Sequence, residues 1–218
     1  MRHGGSPGTL VDSLEHGTDA ELFIVEGESA GLAVARVRDA DTQAVLPMQG
    51  KPASAASTPE QKLLAHPFYA TLAAALGAGV GAACDPRGLR FGRLLLLMDP
   101  DADGIHCGLL VLMFLHRCLR PVLDAGIVEI VRPPWGEVAS TGGPRRVAFS
   151  EPEFLSLAAE ARPDGGVARR YRGLAGIDHA LLLAHCVAPA TRRTERVTAA
   201  QVATMTAIFS GRSPGAGR

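Results

Sequence analysis

Short runs of consecutive apolar residues, each closed by an acid or a turn residue, alternate along the chain with longer stretches of helical spacing. ELFIVE (21–26) is the first run and predicts a buried strand ending in Glu26. SAGLAVARV (29–37) follows a glycine at helical spacing, so strand, turn and helix come in order, with Ser29 placed to cap the helix. AVLPM (44–48) predicts a second strand. Thr58-Pro59-Glu60 opens a helix that Pro67 interrupts, and a further helical stretch runs to about Leu76. RLLLLMD (93–99) is the clearest strand, because its unbroken apolar run requires cover on both faces. HCGLLVLMFLHRCLR (106–120) predicts an apolar helix closed by Pro121, and IVEIV (127–131) a fourth strand.

This alternation predicts an α/β fold: an open, mostly parallel four-stranded sheet with helices on both faces, plus a small, mainly helical C-terminal tail. Four regions are expected: a flexible segment at 1–19, the α/β domain at 20–138, a linker and short helix at 139–166, and a tail at 167–218. The tail's helices are placed near 178–187 and 199–209, with Thr198 as cap of the last. No internal repeat is present.

Composition narrows the class. Apolar residues make up 47% of 218 and charged residues 20%, enough for a core, while 5% aromatics make that core aliphatic. Net charge is zero, which excludes a uniformly basic coat for nucleic acid. The charge is divided, however: residues 167–218 hold eight arginines against Asp178 and Glu195, so residues 1–166 carry a matching acidic excess. That division suggests a basic tail for an anionic partner and an acidic centre elsewhere. The four cysteines show no metal-knuckle spacing and read as small buried hydrophobes of a reducing compartment. No apolar run reaches the ~20 residues a membrane span needs, and the N-terminus shows no signal-peptide core. A cytoplasmic protein is expected.

Candidate chemistry lies where strands end. In open α/β sheets the ligand crevice sits at the carboxyl ends of the strands. Glu26 closes one strand and Asp99 another, with Asp101 and Asp103 close behind in DPDADG (99–104). If the two strands are neighbours, about 4.8 Å apart, four acids converge. Two like charges ~4 Å apart repel by roughly 4 kcal/mol at an effective dielectric near 20, so such a set calls for a cation. Oxygen donors alone point to Mg²⁺, or Mn²⁺, rather than Zn²⁺. Taken alone, DPDADG reads equally as a solvated turn. It does not complete a calcium hand, since Leu110 stands where that motif needs Glu and a strand precedes it.

EGESAG (26–31) after one strand and DPDADG after another resemble the TOPRIM domain of topoisomerases, primases and related nucleases. The resemblance extends to the B-type subunits of bacterial type IIA topoisomerases through ELFIVEGESAG, QAVLPMQGK, LRFGRLLLLMDPDADGIH and IVEIVRPPW, in order and spacing. RRYRGLAGID and TRRTERVT in the tail are similar to the segment near the end of those subunits, so roughly residues 10–211 are covered.

The resemblance implies a role for each matching residue. Glu26 would be the general acid/base at the sugar oxygen of the broken strand and would hold Mg²⁺ with Asp99, Asp101 and Asp103. Gly27 and Gly31 would allow tight turns and close approach of phosphate. Lys51 and Arg38 would line the DNA path, or otherwise be surface charges. His106 would contact DNA, or simply be a polar residue at a helix start. Arg170 and Arg172 would lie near DNA and Tyr171 near the partner-subunit interface, with a solvated basic face as the plainer alternative. The attacking tyrosine belongs to the A-type subunit in that family, and neither Tyr69 nor Tyr171 sits in a suitable motif. ATP-binding and transducer domains are not found in this sequence, and no ATP site is expected.

Departures from the pattern thin the DNA cradle. Gln49, Ala35 and Ala40 stand at positions that are basic in the family, Leu32 replaces a glycine, and PPWGE and RYRGLAGI depart from the usual motifs. Losing about three phosphate-neutralising cations would flatten the salt dependence of DNA binding by about three units of slope. Three readings follow. The first is a Mg²⁺-dependent module that supports DNA cleavage and religation with an A-type subunit, inactive alone and located in the bacterial cytoplasm at the nucleoid. The second is a degenerate paralogue that binds and regulates that subunit. The third is a stand-alone nuclease, against which the topoisomerase-like tail argues.

Overall fold

The computed structural model describes residues 9–140 and 142–210. The first apolar run lies in β1 (Gly17–Glu26), which turns directly into α1 (Gly27–Val37). β2 (Gln43–Met48), α2 (Glu60–Leu64) and α3 (Pro67–Leu76) follow, with Pro67 opening α3 where its missing N–H costs nothing. The leucine run forms β3 (Phe91–Leu97), succeeded by α4 (Ala102–Cys118), α5 (Arg120–Asp124) and β4 (Val128–Val131). Next come β5 (Gly136–Ala139), β6 (Arg146–Ala148), α6 (Glu151–Ala161) and β7 (Val167–Arg170). The chain ends in α7 (His179–Leu182) with a π-helical turn (Leu183–Val187), then β8 (Thr194–Arg196) and α8 (Ala199–Phe209). Thr198 caps α8, as expected, and the Gln201 side chain reciprocates to complete a capping box.

The main sheet has the order β2-β1-β3-β4-β8. β1, β2, β3 and β4 pair in parallel, and β8 adds antiparallel to β4. This is the open, mostly parallel α/β architecture expected, Rossmann-like in its layers, with one more strand: a fifth, contributed by the tail.

Alternation along the central strands divides the core. Leu22 and Ile24 of β1 face one side with Leu94 and Leu96 of β3, where α3, α4, α5 and α8 pack. Phe23, Val25, Leu95 and Leu97 face the other side, covered by Ala30, Ala33 and Val34 of α1. That second face is completed by Tyr171, Leu174, Ile177, Leu182, Cys186 and Val187, all from the tail. Each fully buried leucine or phenylalanine contributes roughly 1.5–3 kcal/mol relative to exposure, so the tail is part of the core.

A buried polar cluster fastens the tail at the amino end of β1. Arg192 places its guanidinium on the carboxylate of Glu21, with Nη1 2.6 Å from Oε2 and Nη2 on Oε1. Gln43 donates to the same Oε2 at 2.8 Å, and both Arg192 and Gln43 donate to the carbonyl of Val187. Every strong donor and acceptor there has a partner, as a buried charge requires.

Several expectations need correction. Of the flexible segment placed at 1–19, residues 1–8 lie outside the described residues. Residues 9–19 are held: Val11 exchanges backbone hydrogen bonds with Val45, and β1 already begins at Gly17. The linker expected from 139 carries part of a second sheet of order β6-β5-β7, and β5 runs through the expected boundary at 138. α1 starts at Gly27 with Glu26 at its cap position, so Ser29 sits inside the helix. α4 starts four residues before the expected 106, because the Asp101 side chain accepts from the Gly104 N–H and caps it. Arg212 and Arg218 of the basic tail lie outside the described residues.

The cysteines carry no disulfide: Cys107, Cys118 and Cys186 are buried and Cys84 partly so. Among the described residues no helix is long and apolar enough to cross a membrane.

Candidate functional site

Three neighbouring strands deliver their side chains to one end of the sheet. The parallel register sets Val25 of β1 against Leu97 of β3, which brings Glu26 level with Met98 and one residue from Asp99. On the other side Glu26 pairs with Met48 of β2, and the loop after β2 carries Lys51. Glu26, Lys51 and the DPDADG loop therefore share the carboxyl edge of the sheet, where ligand crevices of this architecture form.

Glycines let the chain turn tightly at that edge. Gly27 adopts φ +79°, a left-handed conformation that reverses β1 into α1 directly behind Glu26. Gly104 lies against the backbone of its own loop: a Cβ there would fall 2.2 Å from the Asp99 carbonyl oxygen. Gly104→Ala is expected to push the aspartate loop outward and destabilise the protein by about 1–3 kcal/mol, read as a lower urea midpoint. An unchanged midpoint would mean the loop yields freely.

The four acids occupy unequal environments. Glu26 Oε1 accepts from the Cys107 thiol at 3.7 Å, while its Oε2 is buried with no hydrogen-bond partner. Burial first, then the charge of Asp99 and more weakly Asp101 and Asp103, raises the Glu26 carboxyl above its ordinary value. Asp99 is raised as well, chiefly by burial, although the Leu174 N–H donates to its Oδ1 at 2.9 Å and opposes the shift. Asp101 spends Oδ1 on its helix cap, 2.8 Å from the Gly104 nitrogen. Asp103 is exposed and lowered, because Lys51 Nζ stands 2.6 Å from its Oδ1. Cys107 is pushed up to about 11 by burial and the Glu26 carboxylate, so it is a neutral thiol. One ammonium thus faces four carboxyl groups.

The donor set fits a hard divalent cation: carboxylate oxygens, one orphaned and buried, in a cluster short of positive charge. The cage is open. Among the described residues, no three His, Cys, Asp or Glu side chains are gathered closely enough to hold an ion. The Lys51 contact on Asp103 and the cap made by Asp101 account for two of the four being engaged elsewhere.

The remaining expected site residues are scattered. His106 lies one turn into α4 with its ring 5.4 Å from that of Phe209 in α8. Arg170 is exposed and stacks 4.3 Å over the Trp135 ring, and Arg172 is exposed one residue before Gly173, which touches Asp99. Arg38 belongs to the far end of the sheet. Its guanidinium donates to the carbonyls of Gln43 and Asp12, and Gln43 pairs with Glu21, five strand positions or about 16 Å from Glu26. That differs from a place beside the acids on a DNA path. Tyr171 is 2% exposed, packed in the second core face beside Glu137, which together with burial raises its phenol. Arg169 lies over the ring at 5.6 Å, so Tyr171 serves this chain as a core residue.

Sequence reasoning missed three parts of this region. Cys107 sits on Glu26, the Gly173–Leu174 turn sits on Asp99, and a cleft of about 520 Å³ opens beside Asp99 between α4 and the Trp135 segment. The tail's contact with Asp99 had one available signal, the glycine in RGL. The other two arise from tertiary packing alone.

The sequence signature of the Toprim domain matches residues 21–133. Over 193 residues the chain is 34% identical to the DNA gyrase B protein of Thermotoga maritima, covering 88% of this chain and 30% of that protein. It is 32% identical over 209 residues to the gyrase B protein of Metamycoplasma hominis, covering 95% and 32%. The corresponding figures for Streptococcus pneumoniae are 33% over 213 residues, 93% and 32%. The chain therefore spans about a third of the length of the curated relatives it matches.

Proposed function

This chain belongs to the Toprim domain family, and from that premise we propose that it is the Mg²⁺-dependent module of a type IIA DNA topoisomerase. It works in the bacterial cytoplasm, on nucleoid DNA, with an A-type subunit that supplies the attacking tyrosine. The observation that carries this reading is the meeting of Glu26 with the Asp99–Asp103 loop on adjacent parallel strands, in a cluster with too little positive charge.

The chemistry assigns a role to each group. The partner's tyrosine oxygen, having given its phenol proton to water, bonds to phosphorus as the bond to the 3′-oxygen breaks, and it regains a proton from water when it leaves. Glu26 delivers a proton to that departing oxygen and takes it back when the hydroxyl re-attacks and the tyrosine leaves. Burial raises this carboxyl above its ordinary value, which favours its protonated form and suits it to a proton-transfer role. Glu26, Asp99, Asp101 and Asp103 would hold Mg²⁺, which when bound offsets charge on the scissile phosphate and positions its oxygens. Lys51, which sits on Asp103, and Arg172, one residue before the glycine beside Asp99, would meet DNA phosphates, with Arg170 and His106 as further contacts.

A second reading, a regulatory module that occupies the A-type subunit without chemistry, is favoured by one observation. Lys51 is taken up by Asp103, Arg38 is at the far end of the sheet, and Gln49, Ala35 and Ala40 supply no charge. One experiment separates the two. The chain is mixed with an A-type subunit and supercoiled DNA while Mg²⁺ is varied, and protein-linked DNA breaks are counted. Mg²⁺-dependent breaks support the enzyme; a stable complex without breaks at any Mg²⁺ supports the regulator. Cutting by the chain alone would overturn both in favour of a nuclease.

A further inference from the structure

We propose that the Gly173–Leu174 turn of the tail is a positioning element for Asp99, so that tail docking and cation binding are linked. This inference rests on the metal-binding reading above. Two contacts carry it. The Leu174 N–H donates to Asp99 Oδ1 at 2.9 Å. Gly173 lies against the other oxygen: a Cβ built on it would stand 3.0 Å from Oδ2 and 3.4 Å from Cγ. One carboxylate oxygen is thereby held by an amide, and the group is confined by the bare Cα beside it.

The turn is rigid enough to act as a guide. Leu174 is fully buried and Tyr171 and Ile177 nearly so, all in the core face shared with Leu95 and Leu97 of β3. The strand that leads into the aspartate loop and the turn that clasps Asp99 are therefore packed on each other. At the opposite end of the sheet, Arg192 on Glu21 fixes the same tail. Glycine at 173 is not demanded by conformation, since its φ of −168° is ordinary extended backbone. What a larger residue there would disturb is the Asp99 carboxylate, whose side chain is the movable partner in that contact.

The linkage makes Asp99 a better ligand when the turn holds it. A carboxylate free to rotate loses ordering entropy on meeting a cation, whereas one already oriented does not. Groups that orient metal ligands in this way commonly change metal affinity by about 10–100-fold when altered.

The test is a Mn²⁺ titration of the full chain, followed by electron paramagnetic resonance, with thermal unfolding measured alongside. Gly173→Ala is expected to weaken Mn²⁺ binding by about 10-fold or more while the metal-free melting temperature changes little. Gly176→Ala is the control from the same turn, because a Cβ there meets nothing within 4 Å, and it should bind as the native chain does. Leu174→Pro is the second probe should the first fail to fold. It deletes the amide donor at the first residue of a 3₁₀ turn, where proline suits the backbone after an extended residue; because it also removes a fully buried leucine side chain, it is titrated well below its lowered melting temperature, and it too should weaken binding. Native-like affinity in Gly173→Ala, or equal weakening in Gly176→Ala, overturns the positioning role and leaves the metal reading standing. No Mn²⁺ binding by the native chain overturns the metal reading itself.

Discussion

Arg192→Ala is expected to lower stability by about 3–5 kcal/mol, the largest loss that truncating any charged side chain should produce here. Its side chain is 1% exposed and that of Glu21 6%, so the pair is desolvated on both sides. Truncating the arginine leaves the Glu21 carboxylate buried with Gln43 as its remaining hydrogen-bond donor and the half-exposed Arg93, 3.9 Å from Oε1, as its one remaining ion-pair partner among the described residues. It also strips one donor from the Val187 carbonyl, where the tail meets the sheet. For a chain of this size the loss converts to a melting temperature lower by about 6–20 °C, at 2–4 °C per kcal/mol. The cost belongs to the stranded charge more than to the pair, so Glu21→Leu combined with Arg192→Met should recover much of it. Calorimetry on the native chain, the single variant and the pair decides. A single variant within about 1 kcal/mol of native, the range of an exposed ion pair, would show that water reaches the pair.

The second large effect is on chemistry. Glu26→Gln is expected to reduce DNA cleavage with an A-type subunit by about 10²–10⁴-fold, the usual contribution of a general acid/base. Stability should move the opposite way. The folded-state carboxyl of Glu26 is raised, so the stability associated with its protonated form is present in acid and lost as pH rises through the raised value. Glutamine stays neutral throughout. The metal-free variant should therefore melt higher than the native chain at pH 7, by no more than about 2–4 °C after solvent screening, and show no advantage near pH 4. Loss of cleavage together with a lower melting temperature at pH 7 would instead mark Glu26 as a structural residue whose replacement damages the fold.

Those two residues also show which parts of the molecule were legible in its sequence. Glu26 and the aspartates were, because a buried parallel strand announces itself as an unbroken apolar run and the acid that stops it must lie at the sheet's carboxyl edge. The register that makes them neighbours then follows from pairing two such runs. Arg192 was not legible. A count of charges assigns it to a basic surface, whereas burial depends on Glu21 waiting 171 positions upstream. The surroundings of Arg38 and Tyr171 were hidden for the same reason: composition marks what a side chain is and leaves open what covers it. The small second sheet was hidden differently. Its strands are three or four residues long and β7 is exposed along its whole length, so neither apolar alternation nor length marks them. The early start of α4 went unread because Asp101 was considered only as a ligand, while its side chain also caps a helix.

The two-sided sheet has a practical outcome for anyone who wishes to cut this protein into pieces. The Toprim signature stops at residue 133, yet Phe23, Val25, Leu95 and Leu97 need Leu174, Leu182 and Val187 above them to stay dry. Val202 is likewise wholly enclosed on the opposite side. A recombinant product trimmed to the signature would present a greasy flank to solvent and be prone to precipitate. The smallest autonomous folding unit therefore extends through α8, which ends at Phe209, 76 positions past the end of the Toprim signature at 133.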